Sequence, residues 1–303
     1  MPRTRAENEV NVQYVGHRGI VFRFSDPYEM YSYVIADRRI TLICDTSVGP
    51  EPMAALLEHL RESGATLSRI HVFNSHADYD HYWGNCLFTD ATIIGHTECR
   101  ERIMNEGQRS LTQYSAHMRG RVLISPPNRV FSNELRLTAD IRLFHSPGHT
   151  SDSCSCVDES DRVLFVGDNV EYPIPYVNSL DIGTYIATLR GYATMDWDYM
   201  VTGHSSVHTD TSLLDRNIAY LEELRDWRLG PVTRSPECIG RHATNVVTLV
   251  RQSDNILKQD ELLEHCTRLR DILMETPDLE SQETLAILDG VISGDRRSQG
   301  TAG

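Results

Sequence analysis

Between Asn74 and Asn85 the chain reads Asn-Ser-His-Ala-Asp-Tyr-Asp-His-Tyr-Trp-Gly-Asn, and a six-residue window inside it offers His76, Asp78, Asp80 and His81. Imidazole nitrogens and carboxylate oxygens are the donors that bind divalent transition metals. The preceding run, Ile70-His71-Val72-Phe73, is apolar enough to be a strand. A strand ending in such a burst holds its donors at a rigid edge. A solvated polar loop is the bland alternative. Four more strand exits carry one such residue each: Asp45 after Leu42-Ile43-Cys44, His149 in Ser146-Pro147-Gly148-His149-Thr150, Asp168 after Gly167, and His204 after Gly203. Each alone reads as a helix cap or an ordinary loop histidine. Together they are explained best by convergence on one edge of a fold.

The elements that must position them follow from periodicity. Residues 10–15, 20–24, 31–35 and 40–44 read as short strands, separated by turn residues at Gly16, Asp26-Pro27 and Asp37. Met53, Leu56, Leu57 and Leu60 recur at helical spacing over 51–63, and Gly64 stops that helix. Strands over 70–73 and 91–94 follow, then a weakly amphipathic helical stretch over 97–117 that could act as a lid. A second β-rich block starts near Val130, with strands over 135–137, 141–144, 153–157, 163–166 and 199–201 and a helix over 185–193. Residues 211–227 form an amphipathic helix through Leu213, Leu214, Ile218, Leu221 and Leu224. Two β-rich blocks, each followed by helices, predict an α/β fold: an αββα sandwich of two mixed β-sheets flanked by helices. From Gly230-Pro231 onward the pattern is helical, chiefly over 244–292. This divides the chain into a domain of residues 1–229 and a helical C-terminal extension of 230–303, with a disordered tail from 293 and a frayed start over 1–9.

Composition narrows the function. A chain of 303 residues, 40% hydrophobic and 24% charged, can bury a sizeable core. It has no uninterrupted apolar run long enough to span a bilayer, and its basic start is not followed by the apolar stretch of a secretory signal. Seven scattered cysteines, an odd number, fit reduced thiols in a cytoplasmic protein. Cys154 and Cys156 share one strand face, as core residues do. The net charge of −14 disfavours nucleic acid and anionic membranes as partners. Arg100, Arg102, Arg109, Arg119 and Arg121 form the one basic stretch; they either pair with Glu101 and Glu106 or meet a substrate carboxylate. Tyr79, Trp83, Tyr172, Tyr176 and Tyr185 either line an aromatic pocket or belong to the core. A small-molecule substrate and a homodimer are the expected partners.

The combined motifs resemble the metallo-β-lactamase fold superfamily. Its signature is His-x-His-x-Asp-His after a strand, then Gly-His-Thr, a strand ending in Gly-Asp, and a final Gly-His. Here the matching runs are His76-Ala77-Asp78-Tyr79-Asp80-His81, Gly148-His149-Thr150, Leu164-Phe165-Val166-Gly167-Asp168 and Gly203-His204, spread over roughly residues 10–228. The resemblance implies that His76, Asp78 and His149 bind one metal ion and that Asp80, His81 and His204 bind a second. Asp168 would bridge the two, and Asp45 would support them from behind. It also implies a metallohydrolase: two divalent ions, zinc first, would hold a hydroxide that attacks an ester, thioester, lactone or similar bond. Asp80 would be the catalytic residue, orienting the nucleophile as it binds.

One position departs from the signature, since Asp78 stands where the second His is expected. A third carboxylate makes the site harder and tilts it from zinc toward iron or manganese. The flavodiiron branch of the superfamily carries Glu at this position, which makes a non-haem di-iron, O2-dependent oxidase or oxygenase the alternative reading. No glycine-rich phosphate loop of a flavodoxin-like domain lies downstream, however. A non-catalytic member of the fold is a third reading. Against it, all seven ligand positions hold residues able to bind metal.

Overall fold

The computed structural model describes residues 11–65, 67, 69–252, 259–275 and 282–293. The expectations for residues 1–9 and for the tail after 293 lie outside the described residues. The chain forms two compact units. The first is built from the chain up to Pro147 together with Ser151–Asn169 and Met195–Asp210; the second holds Gly148–Thr150, Val170–Thr194 and the chain from Thr211 onward.

Both sheets belong to the first unit. One has seven strands in sequence order: β1 (Asn11–Val15), β2 (Gly19–Phe24), β3 (Met30–Ala36), β4 (Thr41–Cys44), β5 (Ile70–Phe73), β6 (Thr92–His96) and β7 (Arg129–Phe131). Pairing is antiparallel from β1 to β4 and parallel from β4 to β7. Parallel neighbours need crossovers, and α1 (Pro50–Glu62) and α3 (Thr97–Gln113) provide two of them. The short helix α2 (Tyr79–Tyr82) follows the β5 exit. The other sheet has the order β12-β11-β10-β9-β8, from β8 (Glu134–Arg136), β9 (Ile141–His145), β10 (Cys154–Asp158), β11 (Val163–Phe165) and β12 (Tyr199–Val201). It too is mixed, because β12 runs parallel to β11. The α/β fold of two mixed sheets flanked by helices is as the sequence predicts. One strand departs: the residues near Val130 do not open the second sheet. The α3 crossover returns the chain alongside β6, and β7 closes the first sheet in parallel before the chain changes sheets at Ser132-Asn133.

Alternation sorts each strand between two cores. Tyr33, Ile35, Leu42, Cys44 and Phe73 face Leu143, Cys154, Cys156, Val163 and Phe165 in an inter-sheet core. The intervening Val34, Ile43 and Val72 pack instead with Met53, Leu56, Leu57 and Leu60 of α1. Cys154 and Cys156 are therefore core residues, and all seven cysteines are free thiols. At the far edge Arg18, in the β1–β2 turn, bonds Asp37 at 2.7 Å and fully buried Asp158 at 2.7 and 2.9 Å, and pairs with Asp140 as well.

The second unit is helical: α4 (Ile182–Ala193), α5 (Ser212–Arg225), α6 (Ile239–Gln252), α7 (Gln259–Glu275) and α8 (Gln282–Ser293). α4 starts three residues before the predicted position because Asp181 caps it, its Oδ1 accepting from the Thr184 amide at 2.9 Å. α6 likewise begins at Ile239, ahead of the predicted residue 244. Among the described residues no helix is long and apolar enough to cross a membrane.

Candidate metal centre

The stretch from Asn74 to Asn85 is stapled at its own ends. Asn85 Nδ2 donates to Asn74 Oδ1 at 2.8 Å, while Asn74 Nδ2 donates to Asn85 Oδ1 at 3.1 Å and to the His81 carbonyl at 3.0 Å. Thr46, just past β4, adds its amide to the same carbonyl at 2.9 Å and its hydroxyl to Asn85 at 2.9 Å. The loop from β5 is thereby folded into one shape with few degrees of freedom.

Asp45 aims the first two imidazoles. Its backbone lies at φ 60, a left-handed conformation that Asp tolerates better than most residues. The carboxylate accepts from the Ser75 amide (2.7 Å), the Ser75 hydroxyl (2.7 Å) and His81 Nδ1 (2.7 Å). The Ser75 hydroxyl spends its proton on Asp45, so its contact at 2.9 Å with His76 Nδ1 places the proton on the ring. His204 Nδ1 meets the Glu29 carbonyl at 2.7 Å, which can only accept. All three rings therefore carry a proton on Nδ1 and direct Nε2 inward, as metal-bound histidines with fixed partners do.

The three Nε2 atoms converge on one oxygen. Asp168 Oδ2 lies 3.8 Å from His76 Nε2, 3.2 Å from His81 Nε2 and 3.3 Å from His204 Nε2. Asp80 flanks this point, 3.7 Å from His81 Nε2 and 3.3 Å from His204 Nε2, and Asp78 Oδ2 lies 3.5 Å from His76 Nε2. Two glycines permit the approach. A Cβ on Gly203 would lie 2.1 Å from Asp168 Oδ1, and one on Gly167 (φ 55) would strike Ser75 at 2.8 Å.

The electrostatics call for a cation. Burial pushes the Asp80 and Asp168 carboxyls up and the His81 and His204 rings down, but the opposite charges prevail. Both carboxyls stay below their ordinary range, and both rings are held well above the ordinary histidine value. His81 Nε2 is buried without a well-formed hydrogen bond. A divalent ion would supply the charge that protons otherwise supply at these nitrogens. Within the first unit, His76, His81 and Asp168 form one group able to hold a metal ion, and Asp80, His81 and His204 form another. The donor set fits a metal.

Of the seven predicted ligands, six stand in this cluster. His149 belongs to the Gly148–Thr150 piece of the second unit. There its Nδ1 donates to the Tyr176 carbonyl at 3.0 Å, which likewise leaves Nε2 to accept. Sequence reading missed Tyr28, whose hydroxyl donates to Asp80 Oδ2 at 3.0 Å and contacts the Tyr79 hydroxyl at 2.6 Å. Tyr79 in turn meets His117 Nδ1 at 2.7 Å. No spacing signal links residue 28 to residue 80. Of the five aromatics, Trp83 and Tyr185 are core residues, while Tyr172 and Tyr176 are exposed. Arg102 and Arg119 are engaged by carboxylates of the protein itself.

A family model described as the metallo-beta-lactamase superfamily matches residues 26–204. The chain belongs to the metallo-beta-lactamase superfamily. The matched segment contains every predicted ligand, from His76 to His204. Solved superfamily members share the fold. The DIM-1 metallo-beta-lactamase superposes with a TM-score of 0.57 at 17% identity, covering 71% of this chain and 98% of that one. FIM-1 from Pseudomonas aeruginosa, in its mono-zinc form, gives 0.57 at 11% identity, with 71% and 96% covered. In sequence, 140 residues are 31% identical to an atrochrysone carboxyl ACP thioesterase of Aspergillus terreus (strain NIH 2624 / FGSC A1156), covering 46% of this chain and 38% of that protein. The chain thus spans well under half the length of the curated relative it matches.

Proposed function

We propose that this superfamily member is a metal-dependent hydrolase of a small-molecule acyl bond, a thioester before an ester or lactone. The observation that carries the reading is the convergence of three Nε2 atoms on Asp168 Oδ2, flanked by Asp80 and Asp78. The thioester preference rests on the similarity to the Aspergillus terreus thioesterase. In this reading His76, Asp78 and His149 would hold one ion and Asp80, His81 and His204 another, with Asp168 as a further donor. When bound, two divalent ions would polarise an acyl carbonyl and acidify a water molecule. Asp80 would orient such a water, and the Tyr28 hydroxyl holds the Asp80 carboxylate in place by donating to Oδ2. The side chains of Asp78 and His204 are 28% and 20% exposed, so substrate enters over them rather than past buried His76.

The test is direct. Protein purified without chelator is assayed for metals by mass spectrometry and for turnover of simple acyl thioesters. Two zinc ions per chain and thioester cleavage support the proposal. Two iron ions, near-ultraviolet absorption that responds to oxygen, and no hydrolysis would instead favour a di-iron oxidase, the reading that the three carboxylates Asp78, Asp80 and Asp168 motivate.

Residues 1–229 would be the catalytic part, and the extension over 230–303 would pack on the core or on a sister subunit rather than do chemistry. The net charge of −14 argues against nucleic acid or membrane partners. Light scattering that shows only monomer at micromolar concentration would remove the dimer.

A further inference from the structure

Asp78 divides its two oxygens between two tasks. Oδ2 faces His76 Nε2 at 3.5 Å, on the inner side of the cluster. Oδ1 accepts from Arg102 Nη2 at 2.9 Å. The other arm of the same guanidinium, Nη1, is bonded to Asp152 Oδ1, and Asp152 is fully buried. Arg102 rises from α3, whereas Asp78 closes the β5 loop and Asp152 lies just before β10. One planar fork thus joins three separate segments of the first unit, which a lysine ammonium could not do with the same geometry.

We infer that Arg102 is the positioning residue that lets a carboxylate serve as a metal ligand at position 78. The inference rests on the proposed metal centre and deepens it. A carboxylate in place of a neutral imidazole adds one negative charge to a cluster that already holds Asp80 and Asp168. The Arg102 guanidinium offsets that charge at its source. Its bond to Oδ1 also holds the carboxylate with Oδ2 turned toward His76 Nε2, the side from which an ion would be held. Anchoring on buried Asp152 holds the fork in place whether or not an ion is bound. A substrate-binding role fits less well, because both arms of the fork are already engaged by protein carboxylates.

The test is zinc affinity, measured by competition with a colorimetric chelator, with ions per chain counted by mass spectrometry. Arg102→Met removes the charge and keeps the stem; it is expected to weaken one of the two ions about 10- to 100-fold, the usual effect of losing an outer partner of a ligand. In an Asp78→His background the same replacement is expected to cause no loss, since a neutral ligand needs no counter-charge. Unchanged zinc affinity in Arg102→Met, or an equal loss in the Asp78→His background, would overturn the inference; the latter would mean that Arg102 acts only through Asp152 and the packing of α3. Should Arg102→Met fail to fold, Arg102→Lys keeps Asp152 paired without forking to Asp78. The same loss of one ion is expected there, and full native affinity is the overturning result. Asp78→Ala tests the underlying reading separately: if it still binds two zinc ions, position 78 is not a ligand, whatever Arg102 does.

Discussion

Asp45 Oδ2 and His81 Nδ1 lie 2.7 Å apart, both buried, although 36 residues separate them in the chain. That contact, with Ser75 bridging the same carboxylate to His76, aligns two imidazoles from one side chain. Asp45→Asn preserves size but removes the charge and turns one acceptor into a donor. Metal affinity is expected to fall about 10- to 100-fold, and Ser75→Ala should cost less because Asp45 still holds His81 directly. Chelator competition on the two variants checks this order; equal or reversed losses would contradict it.

Tyr28, in the β2–β3 connection, donates to Asp80, and Tyr79 donates to Tyr28 in turn, since the Tyr28 proton is already committed to the carboxylate. Tyr28→Phe removes the oxygen and leaves the ring. Rate is expected to fall about tenfold, equivalent to ~1.4 kcal/mol, the scale of one hydrogen bond to a charged group. The loss should appear in kcat rather than KM if Tyr28 acts on Asp80 alone. A change confined to KM would place Tyr28 against substrate instead.

Arg18 joins Asp37 to Asp140 and Asp158, so it connects the edges of the two sheets. Asp158 is fully buried, and removing its partner leaves an uncompensated charge. Arg18→Ala is expected to destabilise the protein by about 3 kcal/mol or more. The urea midpoint should drop with little change in slope.

In the second unit His242 Nε2 and His265 Nε2 are 2.9 Å apart and buried. His265 Nδ1 donates to the Trp227 carbonyl, so its Nε2 must accept from His242, whose Nδ1 then accepts from Tyr220. With both rings neutral every bond in this chain is made, whereas with both protonated the two Nε2–H groups would face each other. Burial first, and the neighbouring ring for His242, hold both below the ordinary histidine value. A folded value below the unfolded one means that the unfolded chain binds more protons under acid conditions. Stability is therefore full above about pH 6.5, the ordinary histidine value, and falls as pH drops below it, by at most about 1.4 kcal/mol per pH unit for each ring. Urea titrations of the whole protein at pH 7.5 and pH 5.5 would show the drop, and His265→Gln should make it shallower. A flat response across that range would contradict the neutral-pair arrangement.

Much of this protein is written locally. The β5 strand and its His76–His81 burst, the Gly-Asp and Gly-His exits, and the alternation of Tyr33, Val34 and Ile35 are all short-range patterns. The strand period and the dense spacing of donors made the two sheets and the ligand candidates legible. The carboxylate at position 78 was visible in the same way, as a departure at a single residue. What the sequence could not express is direction in space. Nothing local marks β7 for the first sheet, because its pairing depends on how the α3 crossover returns. Nothing local ties Tyr28 to Asp80, or sends the fork of Arg102 to both Asp78 and Asp152. Those contacts join segments tens of residues apart, and a hydrogen bond is decided within a few tenths of an ångström. Sequence determined which chemical groups are present and at which strand ends; only tertiary packing decided which oxygen faces which nitrogen.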